Sequence, residues 1–126
     1  MTDKKKTILL IEDEAALGNI LRERLAEAGY DVKVAIQGEE GWQKTKEELP
    51  DIVLLDILLP RIDGFVYLKR LRENKKLQHI PVIVLSNLGQ DSDIAQGKEL
   101  GAVAYLIKAN NTIETILQQV KQVLTS

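Results

Sequence analysis

At 126 residues the chain is long enough for one domain that buries about two thirds of its unfolded surface. Its 44% hydrophobic and 29% charged content is that of a globular protein, and no apolar run approaches the roughly 20 residues of a membrane span. A net charge of −2 argues against nucleic-acid binding driven by a general positive field, and zero cysteine excludes disulfides and thiolate metal sites while suiting a reducing cytoplasm.

The start, Met1-Thr2-Asp3-Lys4-Lys5-Lys6, carries lysines but no small-residue cleavage site, so it does not read as a signal peptide. Thr7 to Ile11 is an apolar strand that stops at Glu12-Asp13. Leu17, Ile20, Leu21, Leu25 and Ala28 then fall on one helical face, and Gly29 supplies the C-terminal stop. Val32, Val34 and Ile36 alternate with Lys33 and Ala35, a period-two pattern that suits an edge strand. Glu39 to Leu49 reads as a second helix with few apolar positions, ended by Pro50. Ile52 to Leu55 is a short, wholly apolar run, as expected of a strand buried on both faces, and it ends in Asp56.

Pro60 opens a loop that Asp63-Gly64 closes, and Phe65, Leu68 and Leu71 mark a third helix running to about Asn74. Arg70, Arg72, Lys75 and Lys76 are expected to be a solvated helix end, where cations favour the dipole. Ile80 to Leu85 is a fourth strand, stopping at Ser86, and Asn87 to Asp93 reads as a polar loop. A short helix closed by Gly101 leads into a fifth strand, Ala102 to Ile107, ending at Lys108. Asn111 with Glu114 is placed for a capping box, ahead of a buried stripe of Ile113, Ile116, Leu117, Val120, Val123 and Leu124. Five strands alternating with five helices predict an α/β fold: a doubly wound, five-stranded parallel sheet covered on both faces. Right-handed crossovers and the weak second strand favour the order 2-1-3-4-5, a flavodoxin-like (βα)5 arrangement. No linker or repeat interrupts it, so residues 1–126 are expected to be one domain with a core of about 7–124.

Four strands end in a reactive side chain: Glu12 and Asp13, Asp56, Ser86, and Lys108. In a parallel sheet all four ends share one edge, where such sheets keep their ligands. Taken singly, Asp13 is explained as a helix cap, Ser86 as a turn residue and Lys108 as a surface lysine. Those separate explanations do not predict three acids, a hydroxyl and a lysine on one rim. The chemistry that wants this set is metal-assisted phosphoryl transfer to a carboxylate. Crowded acids call for a compensating cation, and hard oxygen donors suit Mg²⁺. The ion would draw Asp13 and Asp56 together, Asp56 would be the nucleophile, and Lys108 and Ser86 would hold the phosphoryl oxygens.

Glu12-Asp13, Asp56 with Pro60 and Asp63-Gly64, Ser86, Tyr105 and Lys108, in this order, resemble the receiver domain of a two-component response regulator across essentially the whole chain. The resemblance implies a stand-alone, chemotaxis-type phospho-receiver rather than an enzyme acting on other molecules. Asp56 is then the acceptor, supplied by a histidine kinase or phosphotransfer protein. Mg²⁺ is implied on Asp13, Asp56 and the backbone carbonyl of Leu58, with Glu12 acting through water. Ser86 and Tyr105 are implied as the switch. Output is expected through protein docking on the face of the fourth helix, fifth strand and fifth helix, without direct contact to nucleic acid or membrane, by a cytoplasmic monomer or weak phosphorylation-dependent dimer.

Two positions depart from the family pattern: Ala109 follows the lysine where proline is usual, and Asn87 follows the hydroxyl where a small residue is usual. The first predicts a trans Lys108–Ala109 bond, because a cis bond before a non-proline residue costs about 2.5–4 kcal/mol. The second is expected to narrow the phosphoryl pocket. Leu58 and Leu88 flank the approach of water in the resembled family, and both are apolar, which predicts a long-lived phosphorylated state. A phosphohydrolase of the haloacid-dehalogenase-like kind wants a second acid at the position of Leu58. A flavin or nucleotide carrier wants a glycine-rich phosphate cradle that the loops lack.

Overall fold

The computed structural model describes residues 4–125, so Met1-Thr2-Asp3 and Ser126, at the two limits of the expected domain, lie outside the described residues. The elements follow in the order β1 (Thr7–Ile11), α1 (Ala15–Glu27), β2 (Asp31–Ala35), α2 (Gly38–Glu48), β3 (Ile52–Leu55), α3 (Gly64–Glu73), β4 (Val82–Ser86), α4 (Asp91–Glu99), β5 (Ala104–Ile107) and α5 (Ile113–Thr125). The strands form one parallel sheet ordered β2-β1-β3-β4-β5, the doubly wound arrangement expected.

Alternate side chains along each strand go to opposite faces. Ile8, Leu10, Ile52, Leu54, Ile83 and Leu85 pack with Leu21 and Leu25 of α1 and Ile116 and Val120 of α5. Leu9, Ile11, Val53, Leu55, Val82 and Val84 pack on the other face with Tyr67, Leu68 and Leu71 of α3. All four residues of β3 are fully buried, so a wholly apolar run is what this central position demands. The α5 stripe packs on the first of these faces as its spacing predicts. Gly41 lets α2 lie on the sheet: a Cβ there would meet Ile11 Cδ1 at 2.6 Å. Beside it, the Thr45 hydroxyl and the Tyr67 hydroxyl share a buried hydrogen bond of 2.7 Å.

Several sequence expectations are corrected. Ile20 is 47% exposed and Ala28 is also exposed, because α1 turns Gly18, Leu21 and Leu25 to the sheet instead. Ile36 lies beyond β2 and is exposed, leaving Ala35 as that strand's buried end. The polar loop after β4 is shorter than expected. Helix α4 starts at Asp91, and Asp93 Oδ2 reaches back to accept from the Gln90 N–H at 3.1 Å.

The Asn111–Glu114 box does not form. Thr112 Oγ1 accepts from the Thr115 N–H at 3.1 Å, Asn111 reaches back to the Ile107 carbonyl, and Glu114 pairs with Arg24. Arg72 is no solvated helix end. Its guanidinium donates to the carbonyls of Gln78, Ile80, Leu100 and Gly101, joining the loops that enter β4 and β5. Among the described residues no peptide bond is cis, so Lys108–Ala109 is trans as expected.

Helix α2 ends on Leu49 at φ +48°, a left-handed position that a Cβ makes unfavourable by roughly 1–2 kcal/mol. The Leu49 side chain is 63% exposed, so it offsets little of this by packing. Leu49→Gly removes the clash at an unfolded-state entropy cost of about 0.4–1 kcal/mol. Urea denaturation should show the variant more stable by about 0.5–1 kcal/mol, and a loss of stability would contradict the assigned strain.

Candidate functional site

The carboxyl ends of β1, β3, β4 and β5 meet at one edge because the sheet is parallel and in register: Ile11 lies opposite Leu55, Leu55 opposite Val84, and Ser86 opposite Ile107. The next residues are Glu12, Asp56, Asn87 and Lys108. Backbone hydrogen bonds fix the first two, from Glu12 N–H to the Ala35 carbonyl and from Asp56 N–H to the Ile11 carbonyl. Gly64 lets the following loop fold back, since a Cβ there would lie 2.6 Å from the Asp56 carbonyl oxygen. Asp63 caps α3 by accepting from the Val66 N–H, and so closes the loop without joining the acids.

Lys108 occupies the middle of the site. Its Nζ lies 2.9 Å from Asp56 Oδ2, 2.9 Å from Glu12 Oε1 and 3.7 Å from Glu14 Oε1. Glu12 and Asp56 are buried, while Asp13 is exposed at the mouth. Oxygens of Glu12, Asp13 and Asp56 all lie within 4.8 Å of one another. At an effective dielectric of 20, one acid pair at that separation repels by about 3–4 kcal/mol, and each Lys108 contact attracts by about 6 kcal/mol. The two close Lys108 contacts therefore roughly offset the repulsion among the three acid pairs. Burial pulls the Lys108 pKa down, but its hydrogen bonds to Asp56 and Glu12 win, and the net shift is upward.

Glu12 carries the cost of this packing. Burial raises its pKa to about 7, against the opposing pull of Lys108 and of the Glu14 N–H, which donates to it at 3.0 Å. Asp56 Oδ1 accepts from the Leu58 N–H at 3.2 Å, and the Leu58 side chain points into solvent at 56% exposure. Three carboxylates with close oxygens are a donor set that fits a hard divalent cation.

Ser86 is fully buried, and its Oγ accepts from the Leu88 N–H at 3.2 Å. The Tyr105 hydroxyl donates to the Leu88 carbonyl, so the half-buried ring already engages the loop after β4. Burial is the main reason its pKa is pushed up to about 12. Gly97 makes room for that ring, since a Cβ there would lie 2.7 Å from Tyr105 Cδ2. Asn87 is exposed, and its Oδ1 accepts from the Ala109 N–H at 3.1 Å.

The structure thus brings Glu12, Asp13, Asp56 and Lys108 into one cluster and places Ser86 at the same edge of the sheet, with its hydroxyl on the Leu88 N–H. Sequence reasoning missed three contacts: Glu14 beside the lysine, the direct Glu12–Lys108 pair, and Asn87 to Ala109. Glu14 was legible as the third acid in a row after β1, whereas the other two depend on side-chain directions that spacing does not encode.

The family model for the response regulator receiver domain matches residues 8–121. The DNA-binding dual master transcriptional regulator RpaA of Synechocystis is 38% identical over 117 residues, covering 93% of this chain and 48% of that protein. The chain spans about half the length of the curated relatives it matches. Among solved structures, the BeF3-activated N-terminal receiver domain of Klebsiella pneumoniae RstA superposes with a TM-score of 0.87 at 28% identity, covering 96% of this chain and 100% of that one. The Mn(2+)-bound form of response regulator Rcp1 gives a TM-score of 0.80 at 28% identity over 94% of this chain and 91% of that one.

The raised Glu12 pKa has a definite consequence for stability. Between about pH 7 and its ordinary 4.5, the folded protein binds a proton that the unfolded chain lacks, so stability rises as pH falls through this window. With divalent cations chelated, urea denaturation should show the wild type gaining about 1–3 kcal/mol from pH 8 to pH 5 relative to Glu12→Gln. Parallel curves for the two proteins would contradict the assignment.

Proposed function

The chain belongs to the response regulator receiver domain family, and on that premise we propose that it is a phosphoryl-accepting switch with Asp56 as the acceptor. The donor in this reading is a phosphohistidine on a histidine kinase or phosphotransfer protein. The observation that carries the reading is the pairing of buried Asp56 with Lys108 at 2.9 Å, on a rim that also holds Glu12 and Asp13.

An Asp56 oxygen attacks phosphorus, the phosphorus–nitrogen bond breaks, and its electron pair leaves on the imidazole nitrogen. Leu58 N–H and Lys108 hold the carboxylate in place, one on each oxygen. The Lys108 ammonium also offsets negative charge where the phosphoryl oxygens arrive, and the Ser86 hydroxyl is the second group that binds them. Asp13, Asp56 and the Leu58 carbonyl would hold Mg²⁺, with Glu12 acting through water. The bound ion supplies charge neutralisation for the transferring group. The carboxylate cluster supports this, as does the similarity to a receiver solved in an Mn(2+)-bound form. The chemistry acts on the protein itself, so it is a switch rather than an enzyme with a separate substrate.

Output is proposed to leave through α4, β5 and α5, because Ser86 and Tyr105 both meet Leu88 at the entry to α4. The partner there is proposed to be a protein. DNA binding belongs by name to a relative of which this chain spans 48%, and a net charge of −2 gives the present span no general positive field. Apolar Leu58 and Leu88 offer no group to orient a hydrolytic water, so the phosphorylated state is proposed to persist.

Intact-mass spectrometry with a phosphorylated kinase and Mg²⁺ tests these points together. Wild type should gain one phosphoryl group that decays slowly, and Asp56→Asn should gain none. Asp13→Ala should lose labelling together with the thermal stabilisation that Mg²⁺ gives the wild type. The Leu58→Asn, Leu88→Glu double variant should lose its label faster. Full labelling of Asp56→Asn would overturn the acceptor, unchanged Mg²⁺ stabilisation of Asp13→Ala the metal site, and an unaltered decay in the double variant the part given to the two leucines in the lifetime of the phosphorylated state.

A further inference from the structure

We infer that Asn87 is a positioning residue: its side chain braces the loop carrying Ser86 against the loop carrying Lys108, and so sets the width of the phosphoryl pocket. The inference rests on the reading of Asp56 as acceptor.

The backbone pairing between β4 and β5 ends at Ser86 opposite Ile107. One residue further, where the two groups proposed to hold the phosphoryl oxygens must stay in step, the ladder no longer connects the chains. Asn87 continues it by other means, because its Oδ1 accepts from the Ala109 N–H at 3.1 Å. This bond joins the residue directly after Ser86 to the residue directly after Lys108. It needs an N–H at position 109, which alanine has and a proline would lack. The two departures from the family pattern are thus chemical complements, one supplying the donor and the other the acceptor.

The rest of the surroundings leaves the brace little slack. Gly89 lies on Ile107, where a Cβ would come within 2.8 Å of Ile107 Cδ1. The Tyr105 hydroxyl holds the Leu88 carbonyl, and Asn111 Nδ2 holds the Ile107 carbonyl at 2.8 Å. These contacts tie each loop to β5. The Asn87 bond is the one that reaches past the strand end to the turn carrying Lys108, whose Nζ sits on Asp56. Groups held at fixed spacing before the ligand arrives bind it without reorganising. Asn87 therefore favours phosphoryl binding, the opposite sign from a side chain that merely crowds the pocket.

Two substitutions separate acceptor from bulk. Asn87→Leu keeps the size and removes the acceptor, while Asn87→Ala removes both. Amide NMR of the whole chain, titrated with beryllofluoride in the presence of Mg²⁺, reads the effect. Both variants should bind beryllofluoride about fivefold more weakly than wild type, the change that one ordinary hydrogen bond makes in an equilibrium constant. In the free protein the Ala109 amide proton should move upfield in both, with the core amides of β1 and β3 unchanged. Labelling by acetyl phosphate should slow in parallel. Binding by Asn87→Leu as tight as wild type, or tighter binding by Asn87→Ala, would overturn the brace and return Asn87 to the role of an obstruction. Failure of the wild type itself to bind beryllofluoride would overturn the acceptor reading and this inference with it.

Discussion

The Lys108 ammonium held between Asp56 and Glu12 is the interaction on which the site depends. Two carboxylates buried at the end of a parallel sheet are unfavourable unless something of opposite charge lies among them. Lys108 lies 2.9 Å from an oxygen of each. The arrangement is balanced but not saturated. Glu12 retains a pKa near 7, and Asp13 remains open at the mouth. A cluster with that surplus of negative charge has use for a further cation, and its one ammonium is near enough to assist an incoming anion.

Packing beneath the rim explains why these groups stay in place. Each charged residue follows a strand whose side chains are locked into one of two apolar layers, so a one-residue slip would send core leucines to the wrong face. Close approaches made possible by glycine hold the surrounding loops down. Gly64 brings the start of α3 against the Asp56 carbonyl, and Gly38 brings α2 against Ile62, where a Cβ would lie 2.2 Å from the Ile62 carbonyl oxygen. The Arg72 guanidinium performs the same task at the far end of the sheet, satisfying four loop carbonyls at once.

Strand order, strand ends and the acid–lysine set were legible because each rests on a strong local signal. Ile52 to Leu55 is apolar without interruption, and a charged or hydroxyl residue ends every strand but β2. Helix faces were less legible. The Ile20 position looked buried by spacing alone, yet the sheet takes the stripe through Gly18, Leu21 and Leu25. Caps failed where two residues competed: Thr112 took the N-terminus of α5, and Glu114 was drawn to Arg24 on α1, a long-range partner that no local window contains. Arg72 misled for the same reason. Its carbonyl partners lie six to twenty-nine residues away.

The carboxylate next to Lys108, and no other group on the rim, is proposed to become an acyl phosphate. Borohydride reduces an acyl phosphate to an alcohol, so trapping the phosphorylated protein and sequencing its peptides marks the acceptor permanently. Homoserine is expected at position 56, with positions 12 and 13 unmodified. Homoserine at position 13, or a reduction-resistant phosphoryl group on Ser86, would contradict this.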